Sequence, residues 1–217
     1  MMNADLARRN MVESQIRPNK VTDLRVIEAF EAVPRERFVP ARLAGVAYID
    51  DDLEIARGRY LIEPMVLARL LQALDLQPED KVLNVAAGCG YAAAVMARLG
   101  GTVTAVESDA ELCAAARRAL TEVGAANVSL VQGDLSAGHA AGAPYDAILI
   151  EGGVEHVPAE LTAQLAEGGR LGTVLIENGV GHAALYVKAG GVVSHRQLFE
   201  AGTPRLPGFA TPRRFVF

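Results

Sequence analysis

The chain has 217 residues, 51% of them hydrophobic and 22% charged, with two cysteines and a formal net charge of −5. That length and apolar content fit one packed domain over 1–217, which buries roughly 70% of the surface of its unfolded form and needs neither a disulfide framework nor a structural metal. Cys89 and Cys113 lie in no CxxC and no spaced Cys/His set, which excludes a disulfide scaffold or zinc finger and suits a reducing compartment.

No stretch approaches the ~20 apolar residues of a membrane span, and the opening MMNADLARRNMVESQ lacks the apolar run of a signal peptide. A cytoplasmic location is expected. The acidic balance supplies no broad cationic field for nucleic acid or anionic lipid, and the pairs Arg8/Arg9, Arg117/Arg118 and Arg213/Arg214 read as solvated surface.

The first 64 residues read as a helical preface, with helical pieces over 4–16, over 21–32 behind a cap at Thr22 or Asp23, and over 37–40. Apolar spacing predicts a helix over 65–74, and Pro78, Glu79 and Asp80 form a turn. A regular alternation follows: strand 81–86, helix 91–99, strand 102–106, helix 110–123, strand 128–131. Two more apolar strands are predicted at 145–150 and 170–176, flanking a helix over 158–165. Short β-rich runs at 183–188, 192–199 and 215–217, with Gly190 and Gly191 between the first two, predict an antiparallel finish.

Strands alternating with helices imply an α/β fold with a mostly parallel sheet covered on both faces, because parallel neighbours need a crossover. Ligands of such sheets bind at the carboxyl ends of the strands. There, VLNVAAGCGYAAA sets Gly88 and Gly90 between the first strong strand and its helix, where missing side chains let a ligand approach the backbone. About twenty residues on, the next strand ends TAVESD, so Glu107 stands where a carboxylate accepts hydrogen bonds from a ribose diol. Gly133 and Asp134 of VSLVQGDL follow the third strand, where a carboxylate suits an adenine amino group.

With these motifs the chain resembles the class I S-adenosylmethionine-dependent methyltransferases, and among them the protein-L-isoaspartate O-methyltransferase family. The likeness covers nearly the whole chain. Its more specific words are MVESQIRPNKVTDLRVIEAFEAVPRERFVP in the preface, followed in order by PEDKVLNVAAGCGYAAAVMARLGGTVTAVESDAEL, VSLVQGDL and APYDAILIEGGVEHVP.

The resemblance implies a Rossmann-like, seven-stranded, mostly parallel sheet with one reversed strand in an antiparallel C-terminal hairpin. Residues 1–64 then form the preface and substrate loop, and 65–217 the cofactor-binding core and last strands. It further implies S-adenosylmethionine as cofactor, held by Asn84, Ala86, Gly88, Gly90, Glu107 and Asp134, with Ala87 and Cys89 in the same loop and Tyr91 opening the next helix. The implied partner is a damaged protein or peptide whose isoaspartyl carboxylate is methylated.

Four departures bear on the site. The family's GQTISQP reads here Gly58, Arg59, Tyr60, Leu61, Ile62, Glu63, Pro64, so Ile62 stands at the hydroxyl position implicated in catalysis. Asn84 replaces a common acidic residue, and Ala86 replaces the first glycine. No catalytic residue is assigned, although Arg59 or Tyr60 offers a donor to a substrate carboxylate. Glu151 replaces a small or polar residue, either contacting ligand or ending its strand.

His139, His156, His182 and His195 are scattered without ligand spacing, so no metal site is expected, and no serine lies in a GxSxG elbow. Two other readings remain at this stage. One is a non-catalytic or altered-substrate homologue that binds S-adenosylmethionine. The other is an NAD-linked oxidoreductase, since Gly88 to Ala93 also fits GxGxxA.

Overall fold

A computed structural model describes residues 3–211. The preface begins with α1 (Ala4–Met11), capped by the Asn3 side chain, which accepts from the amides of Asp5 and Leu6. The helix expected over 4–16 does not continue regularly. Val12–Ile16 forms a π turn and Arg17–Asn19, carrying Pro18, a 3-10 turn, because proline supplies no amide to extend the ladder. Asp23, one of the two predicted caps, accepts from the Arg25 amide and opens α2 (Leu24–Ala32). Residues 37–40 are not a helix of their own. Pro34 and Pro40 instead open 3-10 turns at Arg35–Arg37 and Ala41–Val46.

A hairpin absent from the sequence reading follows, β1 (Leu53–Ala56) against β2 (Arg59–Leu61), in a two-stranded sheet of its own. Then comes α3 (Pro64–Leu74), which buries Val66, Leu67, Leu70, Leu71 and Leu74. The core continues with β3 (Lys81–Val85), α4 (Tyr91–Met96), β4 (Thr102–Glu107), α5 (Ala110–Glu122) and β5 (Val128–Gln132). The chain closes with β6 (Tyr145–Val154), α6 (Ala159–Ala163), β7 (Leu165–Glu177), β8 (Val180–Ala189) and β9 (Val192–Glu200). The strand expected at 215–217 and the pair Arg213/Arg214 lie outside the described residues.

The large sheet has the order β5-β4-β3-β6-β7-β8-β9. Neighbours from β5 to β7 are parallel, and β8 pairs antiparallel with both β7 and β9, so one strand is reversed, as the resemblance implied. Gly190 and Gly191, both at positive φ, make the tight turn between β8 and β9.

Two helices are shorter than expected. α4 stops at Met96 because the chain must turn into Gly100 and Gly101, and a Cβ on Gly101 would stand 2.6 Å from the Pro78 carbonyl. The helix expected over 158–165 is α6 alone, and Leu165 already belongs to β7. The two faces of the sheet are therefore covered unequally. The larger apolar cluster joins α2, α3, α4 and α5 to Val82, Val103, Ala105, Ala147 and Leu149. The smaller joins Leu83, Val85, Val106, Ile148 and Ile150 to Leu161 of α6 and to Leu206 and Phe209 of the last described segment.

Candidate functional site at the strand tips

The carboxyl ends of β3, β4 and β5 deliver the glycine loop, Glu107 and Asp134 to one edge of the sheet. After Val85 the chain reverses through Ala86, at φ 62°, and Gly88, at φ 54°, and Gly90, at φ 87°, caps α4. Positive φ suits the glycines and strains Ala86. The whole loop from Ala86 to Gly90 is buried.

Glu107 is fully buried, and its carboxylate is saturated. Oε1 accepts from Arg59 Nη1 at 2.6 Å and from the amides of Ser108 at 2.8 Å and Asp109 at 2.9 Å. Oε2 accepts from Arg59 Nη2 at 2.6 Å and from the Gly88 amide at 2.7 Å. A carboxylate has about four lone-pair sites, and these partners take them all. Arg59 is brought there by β2 and also donates to the Ala86 carbonyl at 3.1 Å. Ile55 of β1 closes the same side, its Cδ1 standing 3.0 Å from where a Cβ on Gly88 would sit.

Asn84 and Glu151 meet between β3 and β6. Asn84 Nδ2 donates to Glu151 Oε1 at 2.8 Å, while Asn84 Oδ1 has no partner. Burial pushes the Glu151 carboxyl up to about 8, against the hydrogen bond from Asn84 and the charge of Arg59, which lower it. Burial, with the Glu151 carboxyl nearby, raises the Cys89 thiol to about 12, so it is no nucleophile near neutrality. Glu151 does not end its strand. It sits within β6 where pairing to β7 breaks between Leu149 and Gly153.

Asp134 is exposed and accepts from the Ser136 amide and hydroxyl, both at 2.7 Å, which hold its carboxyl below the usual range. It borders a cavity of about 380 Å³ lined by Ser108, Leu135, Ser136, Pro207 and Phe209. Ser108 joins this cavity to Glu107, so the end expected to hold a base is open and the end expected to hold a ribose is closed.

The family model "Protein-L-isoaspartate(D-aspartate) O-methyltransferase" matches residues 7–200. The chain belongs to the protein-L-isoaspartate O-methyltransferase family. The enzyme of that name from Methylorubrum extorquens (strain PA1) is 48% identical over 152 residues, which are 70% of this chain and 66% of that protein. The one from Methylorubrum populi is 44% identical over 154 residues, 71% of this chain and 72% of that protein. A solved protein-L-isoaspartate O-methyltransferase matches 93% of this chain and 66% of its own at 28% identity, with a TM-score of 0.79. A Plasmodium falciparum chain of that description, crystallised with S-adenosyl-L-homocysteine, matches 95% of this chain and 99% of its own at 19% identity, with a TM-score of 0.80, and supports the fold. Membership in this family leaves the oxidoreductase reading without support.

Of the residues expected to hold the cofactor, Asn84, Ala86, Gly88, Gly90 and Glu107 are buried at the tips of β3 and β4, and Asp134 is exposed after β5. In this arrangement they do not fit an adenosyl group, because the acceptors a ribose diol would use and the Gly88 amide are already engaged. Arg59, considered as a donor to substrate, is committed to Glu107 instead. Ile62 is fully buried and gives its carbonyl to Arg35 Nη2 at 2.8 Å, so the family's hydroxyl position faces core here. Tyr91 does open α4. Its ring packs edge-on against Phe30 and Phe38.

The residues sequence reasoning missed are Ile55 and Arg59 in their true role. LEIA and RYL alternate around Arg57-Gly58, a hairpin signal that the family comparison obscured by treating 58–64 as loop.

Proposed function

We propose that this chain is an S-adenosylmethionine-dependent carboxyl O-methyltransferase acting on isoaspartyl carboxylates in damaged proteins or peptides. The observation that carries the reading is the family match over 7–200, whose span holds the glycine loop, Glu107 and Asp134 at adjacent strand tips. The proposal includes a single domain over 1–217 and a cofactor cradle of Asn84, Ala86, Gly88, Gly90, Glu107 and Asp134 that forms once Arg59 of β2 leaves Glu107 and Ile55 of β1 leaves Gly88. A cytoplasmic setting goes with it, supported by two unpaired buried cysteines and by the lack, among the described residues, of a helix long and apolar enough to cross a membrane.

The chemistry asks little of the protein in acid or base. A carboxylate with a solution pKa of about 4 is ionised near neutrality, so the task is to hold acceptor and donor in line and keep water out, which is worth roughly 7–11 kcal/mol in favourable cases. Loss of the family hydroxyl at Ile62 removes one positioning contact, about 1–3 kcal/mol. The expected phenotype is slow transfer.

Incubating the full chain with methyl-labelled S-adenosylmethionine and an isoaspartyl peptide tests the reading. Base-labile methyl ester above the no-enzyme background is expected, and its absence at millimolar cofactor refutes the substrate assignment.

A further inference from the structure

The contact between Arg59 and Glu107 joins residues 48 positions apart in a fork of two 2.6 Å bonds, with Arg59 only 9% exposed and Glu107 fully buried. Such paired, charge-assisted bonds are roughly twice as strong as neutral ones, so the O–H donors of a ribose replace them at a loss. A third Arg59 bond, to the Ala86 carbonyl, ties the same guanidinium to the glycine loop. Ile55 seals the approach to Gly88 from the other strand of the hairpin. Arg59 thus takes one acceptor site on each Glu107 oxygen, and Glu107 itself engages the Gly88, Ser108 and Asp109 amides.

We propose that the β1–β2 hairpin is a built-in occupant of the nucleoside seat, and that Arg59, by forking Glu107, sets how tightly this chain binds an adenosyl cofactor. The inference rests on the transferase reading only for the identity of the excluded ligand. The hairpin is an internal competitor, and cofactor binds only as Arg59 leaves Glu107. The apparent affinity is then the intrinsic affinity multiplied by the fraction of molecules in which the hairpin is withdrawn. Neighbouring carboxyl groups do not supply a substitute acceptor: Glu151 is paired with Asn84, and Asp109 caps α5 through the amides of Glu111 and Leu112.

Calorimetry of the full chain with S-adenosylhomocysteine decides the matter, using the wild type, Arg59→Ala and Arg59→Lys. Arg59→Ala leaves a buried carboxylate uncompensated and risks unfolding. Arg59→Lys retains the charge but cannot fork, and a thermal melt checks that it is folded. The folded variants are expected to bind at least tenfold more tightly than the wild type. In parallel, hydrogen exchange across 53–61 is expected to rise when S-adenosylhomocysteine saturates the wild type.

Wild-type affinity equal to or tighter than that of Arg59→Lys overturns the proposal. Saturation of the wild type with unchanged protection over 53–61, or no binding by any folded form, also overturns it. Methyl transfer by the same proteins separates this result from the functional reading. Affinity gained without transfer to an isoaspartyl peptide leaves the occupant standing and refutes the substrate assignment, whereas transfer without any gain does the reverse.

Discussion

Ala86 holds a φ of 62° directly after β3, in a region where an L side chain crowds its own backbone at a cost of about 1–2 kcal/mol. A glycine there escapes that strain but gains freedom in the unfolded chain, which returns roughly 0.5–1 kcal/mol of the advantage. Ala86→Gly is therefore expected to be neutral or to stabilise by up to about 1 kcal/mol, a rise of roughly 2–4 °C in melting temperature for a chain of this size. A clear fall in the melting midpoint would mean that the buried methyl, which packs in the smaller apolar cluster, contributes more than the strain takes away. The sequence identifies Ala86 as a departure from the glycine pattern. It does not reveal that the position keeps the backbone conformation glycine prefers, since φ depends on the turn that Gly88 and Gly90 complete.

At the scale of elements, Arg35 ties the preface to the residue that follows the hairpin, beside the bond from Arg42 to the Glu54 carbonyl of β1. Arg35 is fully buried in the 3-10 turn after α2, where its Nε donates to the Ala47 carbonyl and its Nη2 to the Ile62 carbonyl, both at 2.8 Å. Its guanidinium also lies 4.9 Å from the centre of the Tyr91 ring at the start of α4. Burial lowers its pKa, yet a guanidinium stays charged, so these carbonyls and the ring are what offset its desolvation. Arg35→Ala is expected to cost about 3–5 kcal/mol, because it opens a cavity and strips two buried carbonyls of donors. Urea unfolding measures the loss, and hydrogen exchange should rise first around Ile62. A loss under about 1 kcal/mol would show that the segments dock without this clamp. Sequence periodicity locates α2, α3 and α5 well because each has an apolar stripe of its own. It gives no sign of Arg35 or Arg59 as internal anchors, because an arginine ordinarily reads as surface and both sets of partners lie far along the chain.

For the molecule as a whole, the order of strands and helices was readable because each βα step has a strong apolar period and a turn signal, from Lys81 through Gln132 in particular. The placement of the glycine loop, Glu107 and Asp134 along one edge is legible for the same reason, since strand tips in a parallel sheet converge. What the pattern does not encode is which buried charges face one another. A carboxylate common at the Asn84 position is absent, while Glu151 supplies one from the adjacent strand β6, with Asn84 as its donor. That exchange has a consequence for overall stability. Glu151 keeps its proton in the folded state up to about pH 8, whereas the unfolded residue releases it near 4.5. Between those limits the native state binds more protons than the unfolded state, so raising the pH favours unfolding across this window and has no further effect through this group above it. Each tenfold difference in proton affinity corresponds to roughly 1.4 kcal/mol, so the loss amounts to a few kcal/mol as an upper bound. Glu151→Gln keeps an oxygen for Asn84 and carries no charge at any pH. Its urea midpoint is expected to match that of the wild type near pH 5 and to exceed it increasingly toward pH 8.5, and curves that run parallel across that range would show that Glu151 is ionised in the folded protein and stabilised by Arg59.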